Sequence, residues 1–145
     1  MKGLYKVSTV AGTWDLARQF AKELKPGDVV CLEGDLGAGK TTFTQAVAAE
    51  LKVSGIVTSP TFCIVGEHRS TTNDDIFLVH MDLYRLESED DVLAIGWEDY
   101  LAQGAILMVE WPERAGSLIP QNAKRIVFRH GAAEEERTIE FIVAK

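Results

Sequence analysis

Gly34-Asp35-Leu36-Gly37-Ala38-Gly39-Lys40-Thr41-Thr42 is the stretch from which the fold can be read. It follows an apolar run, Val29-Val30-Cys31-Leu32. It precedes residues 43–51, FTQAVAAEL, whose apolar positions recur at helical spacing. The order is therefore strand, glycine-rich loop, helix. Gly34, Gly39, Lys40 and Thr41 fill the pattern G-x-x-x-x-G-K-[ST] at its fixed spacing. Small loop residues let backbone N–H groups wrap a phosphate chain, and the helix N-terminus behind them favours negative charge. Lys40 would reach the β and γ phosphates as a point charge, while the Thr41 hydroxyl would enter the coordination sphere of Mg²⁺. Asp35, Leu36, Gly37, Ala38, Gly39 and Thr42 complete the cradle. The other reading, a purely structural Gly-rich turn, explains the glycines but not a lysine and a hydroxyl at these offsets.

Working outward, 145 residues with 46% hydrophobic content make one ordinary domain able to bury its own core. The net charge of −7 argues against tight, self-sufficient binding to nucleic acid, which draws on basic residues to neutralise phosphates. No charged leader with an apolar core opens the chain, and no apolar run approaches the roughly 20 residues that span a bilayer, so a cytoplasmic location is expected. Cys31 and Cys63 lack metal-ligand or redox spacing and read as reduced core thiols.

Upstream of the loop, Leu4 to Val10 reads as a short extended lead-in. Trp14, Ala17, Ala21 and Leu24 mark one face of a helix from about Gly12 to Leu24. Val10, just ahead of that helix, either touches the nucleotide's base or packs under the helix. Downstream, Pro60 biases Ser59 toward extended geometry and presents Thr61 on a loop, where it either senses the γ-phosphate or opens a strand from Phe62 to Glu67. The polar run His68 to Asp75 reads as the connection between two paired strands. Ile76 to Val79 starts the second of these, which runs on into His80-Met81-Asp82-Leu83-Tyr84-Arg85. Alternation puts His80, Asp82 and Tyr84 on one side. Asp82, at a strand end, could hold magnesium or its water shell, or serve as a structural hydrogen-bond acceptor. His80 reads as a buried, satisfied histidine in preference to a base.

Ser88 with Glu89, Asp90 and Asp91 resembles a helix start, and the helix is expected to run through Trp97 to near Gly104 with Gly96 inside it. Ala105 to Glu110 is an apolar strand closed by an acid, the arrangement that helps hold Mg²⁺ in Walker B strands. A buried glutamate there without a metal partner would be costly. Trp111 follows it directly. Arg125 to His130 and Thr138 to Val143 read as a hairpin. Arg137 beside its turn reads as half of an exposed ion pair, or as a nucleotide contact if the hairpin folds over the loop. The expected fold is α/β, a P-loop NTPase-like three-layer domain spanning residues 1–145, with a mixed, mainly parallel sheet and a C-terminal antiparallel hairpin.

The set GDLGAGKTT, SPTF, HMDLYR and VEWPE, in that order across residues 34–113, resembles the bacterial TsaE (YjeE) family. The P-loop is generic; HxDLYR followed by VEW makes the match specific. The resemblance implies slow ATP hydrolysis with Mg²⁺ in the pathway that makes tRNA threonylcarbamoyladenosine (t6A). It also implies TsaD and TsaB as partners, with tRNA met only through their complex and no membrane involved. By the same resemblance, Lys40 and Thr41 belong to the Walker A motif, Thr61 to a switch-like loop, Asp82 to a catalytic aspartate motif and Glu110 to magnesium binding. Val10, Glu113 and Arg137 align more loosely with nucleotide contacts. Three other readings compete. A small-molecule kinase would need an arginine-bearing lid, a GTPase would need N-K-x-D and D-x-x-G motifs, and a non-enzymatic adaptor would leave Asp82 and Glu110 unexplained.

Overall fold

A computed structural model describes residues 1–35, 37–53, 65–72 and 75–142. Among these residues seven strands form one sheet: β1 (Gly3–Val7), β2 (Val29–Gly34), β3 (Val65–Arg69), β4 (Phe77–Asp82), β5 (Ile106–Glu110), β6 (Lys124–His130) and β7 (Arg137–Ile142). Their order is β1-β7-β6-β2-β5-β4-β3. The sheet is mixed: β6, β2, β5 and β4 run parallel at its centre, and antiparallel pairings attach β3 at one edge and β7 and then β1 at the other. The β6–β7 hairpin is as expected.

Among the described residues four α-helices cover the sheet: α1 (Val10–Ala21), α2 (Lys40–Glu50), α3 (Glu89–Ala94) and α4 (Trp97–Ala102). The central strand β2 shows why three layers form. Val29, Val30, Cys31 and Leu32 are all buried, as a parallel strand covered on both faces must be. Val30 and Leu32 face Phe20 of α1 and Phe43 of α2, whereas Val29 and Cys31 face Val92 of α3 and Trp97 of α4. Burial pushes the Cys31 thiol up to about 11, which leaves it an inert core group. Cys63 lies outside the described residues.

Rings tie the helix after the glycine-rich loop to the hairpin. Phe43 of α2 meets Phe128 of β6 at a centroid distance of 5.3 Å, and Phe20 of α1 meets Phe43 and Phe141 of β7 at 5.6 Å each. Such pairs contribute about 0.5–1.5 kcal/mol each beyond their buried area.

Two local expectations need correction. Val10 is not in an extended segment: it is the first residue of α1, because Thr9 at the N-cap accepts a hydrogen bond from the Gly12 N–H at 3.1 Å and starts the helix earlier. The single helix expected from Ser88 to Gly104 is two short ones. Ser88 caps the first, with acids in its first turn, but Gly96 takes φ 103°, a left-handed value that a right-handed helix cannot pass through. The redirected chain buries Trp97 in the core.

Candidate functional site

The glycine-rich loop leaves β2 at Gly34 and enters α2 at Lys40, with Gly39 as a left-handed N-cap that carries no side-chain hydrogen bond. The first turn of α2 holds no acidic residue. Its free N–H groups and partial positive charge are thus left for an anion. A cavity of about 200 Å³ opens at that helix end. Gly37, Gly39, Lys40, Thr41 and Thr42 line one side; Asp82, Glu110, Trp111 and Arg137 line the other. A larger cavity of about 330 Å³ involves Phe20, Ala123 and Phe141, and none of the candidate residues read from the sequence lines it.

The two acids arrive by register. β4 and β5 are parallel neighbours, and Asp82 and Glu110, the last residue of each, pair directly across the ladder. They therefore project from the same face, the one carrying α1 and α2. Glu110 is only 5% exposed. Its Oε2 lies 2.6 Å from His80 Nε2, and its Oε1 lies 3.8 Å from Lys40 Nζ. Lys40, 7% exposed, donates to the Gly34 carbonyl at 2.7 Å, and its ammonium lies 5.7 Å from the centre of the Trp111 ring. A histidine and a lysine thus already compensate the buried Glu110 carboxylate, and its burial does not by itself require a metal.

Asp82 Oδ1 accepts the Tyr84 N–H at 3.0 Å. Burial raises the Asp82 carboxyl above its ordinary 3.8 and the negative charge of Glu110 adds to the rise, while the Tyr84 hydrogen bond opposes it. Between the ordinary and the raised value the folded chain binds more protons than the unfolded one. Stability therefore falls as pH rises through that window, and above it ionised Asp82 is a standing cost. Asp82→Asn keeps an oxygen for Tyr84 and removes the charge. It is expected to raise Tm at pH 7 by roughly 1–3 °C, with the gain vanishing in melts taken below pH 3.8.

Trp111 takes φ 58° and ψ 53°, a left-handed conformation rare for a bulky residue. That turn aims its ring at Lys40, against Tyr84, whose ring centre is 4.9 Å away. Among the described residues Arg137 makes no ion pair. It donates to the carbonyls of Glu134 and Glu136 and, at 3.3 Å, to Gly37 of the loop, so the hairpin does fold over the site. Val10 borders a small adjoining hollow with Thr13, Gly39, Thr42, Glu135 and Arg137. Glu113, exposed on a 3₁₀ turn (Pro112–Arg114), lines a separate cavity beside Gly34 and Lys40. The Asp35 carbonyl accepts the Ala38 N–H at 3.1 Å, and Ala38 is fully buried beneath the loop. Leu36 and Thr61 lie outside the described residues.

His80 is the member of this cluster that sequence reasoning set aside, having taken it as a satisfied core histidine. It is buried, but its partner is Glu110. The shared face of His80 and Asp82 was the available signal. Thr41, Asp82 and Glu110 offer hard oxygen donors, which suit Mg²⁺. Among the described residues no group of three or more His, Cys, Asp or Glu could hold a metal unaided. Such a donor set fits an ion that keeps most of its waters and arrives with phosphates. Among the described residues no helix is long and apolar enough to cross a membrane.

Residues 7–139 match the family model described as "Threonylcarbamoyl adenosine biosynthesis protein TsaE". The chain is 43% identical over 127 residues to the tRNA threonylcarbamoyladenosine biosynthesis protein TsaE of Bacillus subtilis, covering 87% of this chain and 76% of that one. It is 44% identical over 104 residues to the protein of the same name from Aquifex aeolicus, covering 70% and 71%. A crystal structure of Bacillus subtilis YdiB superimposes with a TM-score of 0.81 at 32% identity, covering all of this chain and 87% of that one. With the loop, the strand-end acids and the hairpin in the order described, the chain belongs to the TsaE family of threonylcarbamoyl adenosine biosynthesis proteins.

Proposed function

We propose that this chain binds Mg²⁺-ATP in the loop 34–42 and hydrolyses it, slowly when alone, as a cytoplasmic subunit acting with TsaD and TsaB, and that hydrolysis resets their complex between rounds of t6A formation. The observation that supports this most is the placement of Lys40, Glu110 and an uncapped helix N-terminus around one cavity. The amides of residues 37–42 and the Lys40 ammonium would hold the phosphates. Thr41 and Glu110 would hold the ion, whose contribution when bound is to neutralise charge on the β and γ oxygens. Asp82 stands beside Glu110, where it can orient a water for attack, and Thr61 would act as the γ-phosphate sensor that the family resemblance implies. Arg137 and Val10 border the side where the nucleoside would lie, and Glu113 the far side of Lys40. Partner docking would complete this arrangement, which accounts for low activity in isolation.

The test is t6A formation over many turnovers with TsaD, TsaB, tRNA and either wild-type chain or Glu110→Gln. The variant should keep its ATP affinity within about fivefold, lose at least about 100-fold in hydrolysis, and stall after the first round of modification. Unchanged multiple-turnover modification with Glu110→Gln would refute the resetting role.

A further inference from the structure

We propose that His80 is a positioning residue: it holds the Glu110 carboxylate in its working orientation when Lys40 leaves it for phosphate. This rests on the hydrolytic reading above and assigns a part to a group that reading does not use.

His80 and Glu110 come from adjacent parallel strands, His80 two residues before the Asp82 that pairs with Glu110, so both project on the α1–α2 face. His80 is 2% exposed, and its Nε2 sits 2.6 Å from Glu110 Oε2. A carboxylate only accepts, so the hydrogen of this bond is carried by Nε2. The two oxygens of Glu110 are thus divided, Oε2 to His80 and Oε1 toward Lys40 at 3.8 Å, beyond hydrogen-bond reach.

That division matters because the two partners differ in mobility. The Lys40 ammonium is held by one carbonyl, that of Gly34, at the end of a four-carbon stem in the wall of an open cavity. An incoming phosphate would draw it away. The His80 ring is locked in packed core and cannot follow. Without its N–H, the buried Oε2 would lose its donor, at a cost of about 1–3 kcal/mol or more. The carboxylate would then turn to the nearest cation, Lys40. His80 thereby keeps Lys40 available and Oε1 facing the cavity. Groups of this kind, bonded behind a metal-binding side chain, typically change metal affinity or activity 10- to 100-fold, as an order of magnitude.

The experiment compares wild type, His80→Gln, which keeps an N–H able to reach Glu110, and His80→Leu, which has none. Each is also made in the Glu110→Gln background. ATP hydrolysis is measured in the complete assembly with TsaD and TsaB, and Mn²⁺ affinity of the ADP-loaded chain by electron paramagnetic resonance. For His80→Leu, kcat should fall about 10- to 100-fold with KM within about threefold, and Mn²⁺ affinity should weaken about tenfold or more. His80→Gln should recover both to within about fivefold, and His80→Leu should add less than about twofold on top of Glu110→Gln. If the leucine variant does not fold, His80→Asn, polar but too short to reach, replaces it. Wild-type kcat in His80→Leu, equal losses in the Leu and Gln variants, or full additivity with Glu110→Gln would each overturn the inference while leaving the ATPase reading intact. A wild-type chain that neither binds nor hydrolyses ATP would overturn both.

Discussion

Replacing Lys40 with alanine is expected to abolish ATP turnover and to lower thermal stability at the same time. The first effect follows from position. Among the described residues Lys40 is the one cation that lines both the cavity at the α2 N-terminus and the hollow beside Gly34, whereas Arg137 is already committed to three carbonyls. A charge-assisted contact to phosphate in a partly enclosed site is worth several kcal/mol, so ATP affinity should fall at least about 100-fold by calorimetry. The second effect follows from burial. Removing the ammonium strands the Gly34 carbonyl and leaves Glu110 with His80 alone. Breaking a fully buried ion pair costs roughly 3–5 kcal/mol. Because the 3.8 Å contact is not a hydrogen bond and His80 persists, about 1–3 kcal/mol is the better expectation, or a Tm lower by roughly 3–10 °C. The double variant Lys40→Ala/Glu110→Gln should regain part of that loss. A Lys40→Ala melt that matches wild type would refute the pairing, and unchanged ATP affinity would refute the phosphate role.

Gly34→Ala is expected to be worse for the fold than any change elsewhere in the loop. Gly34 closes β2 at φ 147° and pairs with Phe128 of β6. A Cβ there would lie 2.4 Å from the Phe128 carbonyl oxygen and 3.1 Å from its Cβ. The first of these is backbone, so no rotamer change relieves it, and β6 would have to part from β2 just where the hairpin reaches the loop. A loss above about 3 kcal/mol, a Tm lower by more than roughly 10 °C, and recovery largely in inclusion bodies are expected. Gly27→Ala is the control. It has a similarly disallowed φ of 89° but open space around it, and should cost only left-handed strain, about 1–2 kcal/mol. Equal melts for the two variants would show that close approach to Phe128 is not what Gly34 is for.

How far such features can be read from the chain depends on whether they are local. The loop, the strand before it and the helix after it are written in consecutive residues, and so are the acids at the ends of β4 and β5. The N-cap of Ser88 and the turn of the hairpin are local too. Pairings between strands distant in sequence are not. Nothing near His80 says that β4 lies next to β5, so the sequence points to a buried, satisfied histidine without naming Glu110 as its partner. Arg137 was ambiguous for the same reason: its ties to Glu134 and Glu136 are local, but its contact with Gly37 exists only because β6 docks beside β2. The start of α1 at Val10 and the break at Gly96 are legible in the sequence, through Thr9 as a cap and through glycine's tolerance of positive φ, signals that apolar periodicity does not carry.

The reach of Arg137 to the Gly37 carbonyl crosses 100 residues of chain. β1, the first strand in sequence, finds its hydrogen-bonding neighbour in β7. During synthesis, therefore, the glycine-rich loop emerges from the ribosome long before its brace does, and β1 waits for its hydrogen-bonding neighbour until β7 has been made. The sheet is completed only once translation has passed the hairpin, so the loop gains its Arg137 brace late in synthesis.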